Sequence, residues 1–132
     1  MSRKDSFIKK AREVSNQLRQ IKKPIHASVS RLGFKVCKRS NAMCCSRIWI
    51  NKKLGVVVKP RPTICDPHLS SKYIVPRHTF QKDYQEYWIQ PLVNRKDNIK
   101  AYRFFQKEHP DWVDLHAGNV GHWAGRPAIF DW

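Results

Sequence analysis

Acidic residues are scarce in this chain: it has ten Asp and Glu against 26 Lys and Arg, and its formal net charge is +16. The shortage is concentrated in residues 1–61, where seventeen basic side chains stand against two acidic ones and the balance is +15. Residues 62–132 carry nine against eight, a balance of +1. Such asymmetry indicates an anionic partner, either RNA or DNA, whose neutralised phosphates release counterions, or an acidic protein surface.

Long apolar runs are also lacking. No stretch reaches the roughly 18 apolar residues that a membrane helix needs. The N-terminus is polar and charged, so we expect neither a membrane span nor a signal peptide. The expectation is a soluble cytoplasmic protein that makes no membrane contact. With 132 residues, of which 41% are hydrophobic, the chain should form one domain with a modest core.

The four cysteines do not form a recognisable disulfide framework. Cys44 and Cys45 are neighbours in a chain without a secretion signal, which indicates reduced thiols. Cys65 and His68 have a spacing that zinc accepts, but Cys37 stands too far before Cys44 to supply the usual close pair. The pattern therefore favours free thiols over a zinc site.

An amphipathic pattern occupies residues 1–24. Its apolar residues recur at alternating spacings of four and three, on one face of a helix that Pro24 ends: Phe7, Ala11, Val14, Leu18 and Ile21. Basic side chains cover the rest of the helix and are the candidate contacts for nucleic acid or a protein partner: Lys9, Lys10, Arg12, Arg19, Lys22 and Lys23. The apolar stripe can pack on the chain's own core, with solvated lysines, or insert into a partner.

An acidic motif lies near the C-terminus and reads Asp114-Leu115-His116-Ala117-Gly118-Asn119, followed after eleven residues by Asp131. Phosphoryl transfer needs a carboxylate near the attacking hydroxyl and oxygen ligands for Mg²⁺. The motif resembles the catalytic centre of kinase-like phosphotransferases, and the aminoglycoside and choline phosphotransferase branch most closely. The resemblance implies ATP and Mg²⁺, with Asp114 near the acceptor and with Asn119 and Asp131 on the metal.

The residues after the motif predict a hairpin. Residues 120–130 read as a strand, a turn around Gly125 and Pro127, and a second strand. Such a hairpin would bring Asn119 and Asp131 close together. The alternative is an ordinary hairpin with no metal. Before the motif, residues 97–109 predict a helix that Asp97 caps, because apolar residues recur there and a proline follows.

Upstream segments resemble the nucleotide-binding half of the same family. Three short antiparallel strands are predicted, with Lys59 at the end of the third: residues 33–37, 45–50 and 55–59. The resemblance implies that Lys59 contacts the nucleotide phosphates; the alternative is one surface lysine among many. Residues 86–93 resemble the strand and hinge beside adenine, which implies backbone hydrogen bonds near Gln90 and Leu92. A plain strand ended by proline explains the same residues.

The chain departs from the family pattern in three places. Residues 38–43, between the first two strands, contain no glycine, so backbone binding of phosphate is weakened there. Prolines interrupt the segment that should carry a helix with a Glu to pair with Lys59: Pro60, Pro62, Pro67 and Pro76. The sequence stops at Trp132, where kinases continue into the helices that dock the substrate, so we expect no substrate platform.

Together these observations predict an α+β fold with a basic amphipathic helix over residues 1–24 and a minimal kinase-like domain over 25–132. An antiparallel N-lobe sheet would occupy 25–89, and a truncated C-lobe 90–132. The layout also resembles small kinase-like proteins of tailed bacteriophages, which implies action in the host bacterial cytoplasm. We expect a pseudokinase that binds a host protein complex or nucleic acid and modulates or inhibits it. The alternative is a minimal Mg-ATP-dependent phosphotransferase that a partner completes.

Overall fold

A computed structural model describes residues 2–37, 47–61, 72–112, 115 and 117–130. Over these residues the fold is α+β, as the sequence predicts. The helices are α1 (Arg3–Gln20), α2 (Ile25–Arg31) and α3 (Asn98–Glu108). The strands are β1 (Lys35–Cys37), β2 (Ile48–Asn51), β3 (Val56–Pro60), β4 (His78–Lys82), β5 (Gln85–Pro91), β6 (Val120–Trp123) and β7 (Arg126–Ile129). A short 3₁₀ turn, Ala117–Asn119, precedes β6.

Five strands form one antiparallel sheet in the order β1-β2-β3-β5-β4. The first three strands confirm the antiparallel arrangement predicted from the sequence, and Lys59 lies on the third, opposite Trp88 of β5. The three valines of β3 are fully buried, and most residues of β5 are buried. The valines of β3 form a continuous apolar run, as expected for a strand whose side chains are covered on both sheet faces.

Helix α1 packs on β4 and β5 of this sheet. Ser2 caps it, since its Oγ accepts a hydrogen bond from the backbone N–H of Asp5 at 3.1 Å. The predicted apolar stripe is buried along α1, apart from half-buried Ile21. Of the two alternatives for this stripe, packing on the chain's own core is therefore the observed one. The helix ends at Gln20, before Pro24, and a second helix that the sequence did not predict, α2, begins directly after that proline.

The chain divides into two compact units. The first comprises residues 1–64 and 76–92, so α1 belongs to the same unit as the sheet. The second comprises residues 65–75 and 93–132. Our sequence-based division treated residues 1–24 separately and ended the N-lobe at residue 89. Among the described residues, no helix is both long enough and apolar enough to cross a membrane.

The second unit is built from α3 and the β6–β7 hairpin. Its core consists of Ala101, Phe105, Leu115, Val120 and Ile129. Helix α3 agrees with the predicted helix to within one residue at each end, and Asp97 occupies the N-cap position without a side-chain capping bond. The side chain of Asn98 instead donates to the Ala117 carbonyl at 3.1 Å. This bond ties the start of α3 to the turn that precedes β6.

Candidate functional site

Lys59 is fully buried in the centre of the sheet. The alternative that it is one of many surface lysines is therefore wrong. Its Nζ lies 5.4 Å from the ring centroid of Trp88, the residue paired with it on β5. A buried ammonium group is stable only where neighbouring groups compensate its lost hydration. Lys59 is therefore not a solvated surface charge.

Trp88 contacts several charged side chains of the same unit. The guanidinium of Arg77 lies 4.2 Å from the Trp88 ring centroid, so two cations contact this indole. The Nε1–H of Trp88 donates to Glu86 Oε2 at 3.1 Å, and that carboxylate oxygen lies 3.6 Å from Nε of Arg61. Glu86, near the start of β5, thus contacts both Arg61 and Trp88.

The two predicted adenine contacts lie at the end of β5 and just beyond it. The Leu92 backbone N–H donates to the Gly55 carbonyl at 2.8 Å. An adenine that used this N–H would have to break that bond. The Gln90 side chain is buried, and its Oε1 accepts no hydrogen bond from the residues that the structure describes. Gln90 therefore presents a buried acceptor, while Leu92 presents a donor already in use.

Asn119 stands at the base of the β6–β7 hairpin, which the sequence predicted. The Phe130 N–H donates to the Asn119 carbonyl at 2.9 Å, and Asn119 Nδ2 donates to the Phe130 carbonyl at 3.2 Å. The hairpin therefore places Asn119 against the residue that precedes Asp131. Donation through Nδ2 makes Oδ1 the amide atom that a cation would take. The predicted Asp114 and Asp131 lie outside the described residues.

Metal binding stays a prediction. No group of three His, Cys, Asp or Glu side chains is close enough to hold a metal ion in the parts of the chain that the structure describes. Those parts omit both aspartates of the Mg²⁺ set. They also omit four of the five residues that were weighed for zinc, and the fifth, Cys37, is a half-buried free thiol. The described residues therefore do not test whether the ligands of Mg²⁺ or of zinc lie close together.

The predicted partner-binding residues share one property, which is exposure to solvent: Lys9, Lys10, Arg12, Arg19, Lys22 and Lys23. We call them the basic surface. Two of them are partly fixed, because Lys10 Nζ donates to the Leu54 carbonyl at 2.9 Å and Arg19 donates to Asn16 of its own helix. Since α1 turns its apolar stripe onto the sheet, its cationic side chains face solvent together.

Two features next to the basic surface were missed from the sequence. His78 on β4 lies against Ser15 of α1, with 3.2 Å between His78 Nε2 and Ser15 Oγ. Burial lowers the pKa of His78 from its usual value, and the positive charges of Arg12 and Arg19 lower it further. Tyr84, at the turn between β4 and β5, is a fully exposed aromatic residue. The contact between His78 and Ser15 has no local sequence signal. A tyrosine in a two-residue hairpin connection could have been noticed.

No family model matches this chain, and neither a curated protein nor a solved structure matches it. We therefore infer the function from the geometry of the described residues and from the sequence motifs.

Proposed function

We propose that this chain is a small kinase-like binding protein of the pseudokinase type, which uses its basic surface to bind a host protein complex or nucleic acid and to modulate or inhibit it. The resemblance to small bacteriophage proteins assigns this action to the cytoplasm of an infected bacterium. The partner is anionic because the charge of the chain lies almost entirely in residues 1–61.

The outward display of the basic surface is the observation that carries this proposal. The apolar stripe of α1 is buried on the sheet, so the helix needs no partner to cover it. Its cationic face is then fixed in position by the same packing. Because the helix that carries most of these charges is already folded, binding requires no ordering of its backbone, and the charges attract an anionic partner over a long distance at low salt.

The state of the hinge also supports a binding role over catalysis. The Leu92 N–H, which the kinase resemblance assigns to adenine, is bonded to Gly55. The segment that should cover the phosphates contains no glycine between residues 38 and 43. Nucleotide binding would therefore lack two of its usual backbone contacts.

A second function, Mg-ATP-dependent phosphoryl transfer with a partner that supplies the substrate platform, is favoured by Lys59 and Asn119. Lys59 lies on the third strand, the position that the resemblance assigns to the phosphate-contacting Lys, and it is not one of the solvent-facing lysines. The hydrogen bonds between Asn119 and Phe130 suit an amide that shares a cation with Asp131.

One experiment separates the two functions. The melting temperature of the protein is measured with and without ATP and Mg²⁺, for the wild type and for Asp131→Ala. A nucleotide-binding protein is stabilised by its ligand, and the variant should lose that shift. The binding role predicts no shift, together with binding to the polyanion heparin that weakens steeply as salt rises. A nucleotide shift that Asp131→Ala abolishes, with no heparin binding, would reverse our order of preference.

A further inference from the structure

The β4–β5 hairpin ends in a two-residue turn formed by Asp83 and Tyr84. Lys82 pairs with Gln85 across the strands, and the two turn residues have left-handed φ angles of 53° and 66°. A turn of this kind favours Asn, Asp and Gly, and a bulky side chain at its second position is strained. Tyr84 is nevertheless there, and its side chain is fully exposed. A strained, solvent-facing ring adds nothing to the core, and strain of this kind concentrates at binding sites.

A basic cleft of about 670 Å³ lies beside this turn, within the same unit. Its charged lining residues are Arg19, Lys22, Lys23, Lys82 and one acid, Asp83. A second concavity of about 600 Å³ shares Lys22 and Lys23 and adds Arg31. The two lysines therefore border both depressions, and positive charge outnumbers negative charge around them.

The cleft is held in shape by Lys82, whose Nζ donates to the Ile21 carbonyl at 2.6 Å. This carbonyl belongs to the C-terminal end of α1, where a cation is favourable for the exposed peptide oxygens. The bond joins the hairpin that carries Tyr84 to the segment that carries Lys22 and Lys23. Asp83, the residue before Tyr84, lines the cleft together with Lys22 and Lys23, so the turn that carries the aromatic ring borders the basic cleft.

We infer that this surface binds single-stranded nucleic acid, with phosphates over the basic cleft and a base stacked on Tyr84. The inference rests on the proposed function and names the class of its partner. Single strands combine the two groups that the surface offers to bind, a backbone of negative charge and unpaired bases with exposed faces. A duplex offers the charge but keeps its bases stacked. An acidic protein would use the lysines and would have no requirement for a planar ring at Tyr84.

The test measures the anisotropy of labelled single-stranded oligonucleotides of about twelve nucleotides and of a duplex of matched length. Tyr84→Gly removes the ring and relieves the turn, so loss of folding does not confound the result. Lys22→Ala combined with Lys23→Ala removes the shared charges. The matched control is Lys52→Ala with Lys53→Ala, which removes an exposed lysine pair from the β2–β3 turn. Heparin binding is measured for every variant.

We expect Tyr84→Gly to weaken single-strand binding about tenfold and to leave duplex and heparin binding unchanged. The Lys22 and Lys23 double variant should weaken the binding of all three ligands. The slope of the logarithm of the binding constant against the logarithm of the salt concentration should fall by about two. Equal single-strand binding by wild type and Tyr84→Gly would overturn the inference. The proposed function would stay intact in that case if the Lys22 and Lys23 double variant still bound heparin more weakly than the wild type. Preference for an acidic protein over every oligonucleotide would also overturn it. Failure to bind any polyanion would overturn the proposed function as well.

Discussion

Tyr84 has a left-handed backbone conformation that opposes folding. A left-handed backbone costs a non-glycine residue about 1–2 kcal/mol, and the extra freedom that glycine gains in the unfolded chain offsets about half of that. Tyr84→Gly, which creates the favoured Asp-Gly turn, should therefore raise the melting temperature by about 3 °C. Differential scanning calorimetry checks this expectation.

Gly55→Ala is the control of opposite sign. Gly55 also has a left-handed φ, of 68°, and a Cβ added there meets no atom within 4 Å. Its replacement should lower the melting temperature through backbone strain alone. A fall in stability for Tyr84→Gly, of the kind expected for Gly55→Ala, would mean that the tyrosine ring stabilises the hairpin and that the strain argument is mistaken.

At the scale of elements, the contact between α1 and β4 makes stability depend on pH. Ser15 Oγ donates to the Arg12 carbonyl at 2.8 Å, so the same oxygen is free to accept from His78 Nε2–H. The pKa of His78 is lowered by burial and by the charges of Arg12 and Arg19. The unfolded chain therefore binds a proton more readily than the folded chain at this histidine. The stabilisation is complete above the unfolded value of about 6.5 and is lost as pH falls below it.

The corresponding measurement is urea unfolding at several pH values between about 5 and 8. The wild type should lose stability as pH falls through this range, and His78→Gln should reduce the slope. His26→Gln is the matched control, because His26 is exposed on α2. An equal slope in wild type and His78→Gln would assign the pH dependence to other groups.

The β6–β7 hairpin depends on a close backbone approach at Gly121. A Cβ at this position would lie 2.5 Å from the Asn94 carbonyl oxygen and 2.6 Å from Cγ1 of Val93. His122 and Asn94 exchange two backbone hydrogen bonds there, of 2.8 and 2.9 Å, so the backbone cannot move apart without losing them. Gly121→Ala should therefore destabilise the protein by about 1–3 kcal/mol in urea unfolding. Wild-type stability in this variant would show that the approach is not tight in solution.

Local sequence patterns predicted most of the elements, but α2 and β4 were not predicted. Alternating apolar spacing gave α1, and turn residues between short apolar runs gave the β6–β7 hairpin. The second helix was missed because its seven residues carry no side-chain cap and no long apolar period. At the candidate site, the burial of Lys59 and the bond between Leu92 and Gly55 could not be predicted, since both depend on how distant strands pair. The kinase interpretation itself stays a prediction, with Asp114 and Asp131 outside the described residues.

At the scale of the whole molecule, the net charge of +16 should make salt act on stability and on binding with opposite signs. Repulsion among the exposed cations of residues 1–61 destabilises the folded state, and added salt screens it over a Debye length of about 10 Å at 0.1 M. The melting temperature should therefore rise as NaCl is increased from about 20 to 300 mM. Polyanion binding should weaken over the same range, because counterions released into a more concentrated salt solution gain less entropy.

A charge variant tests the common origin of these two effects. Lys52→Glu with Lys53→Glu lowers the net charge from +16 to +12, because each exchange changes it by two. Both side chains are exposed at the β2–β3 turn, so their replacement disturbs no packing. The variant should melt at a higher temperature than the wild type at low salt and approach it at high salt. Screening of general repulsion must have a smaller effect once charge is removed. If the melting temperatures of the two proteins depended on salt in the same way, local contacts and not the overall charge would set the response.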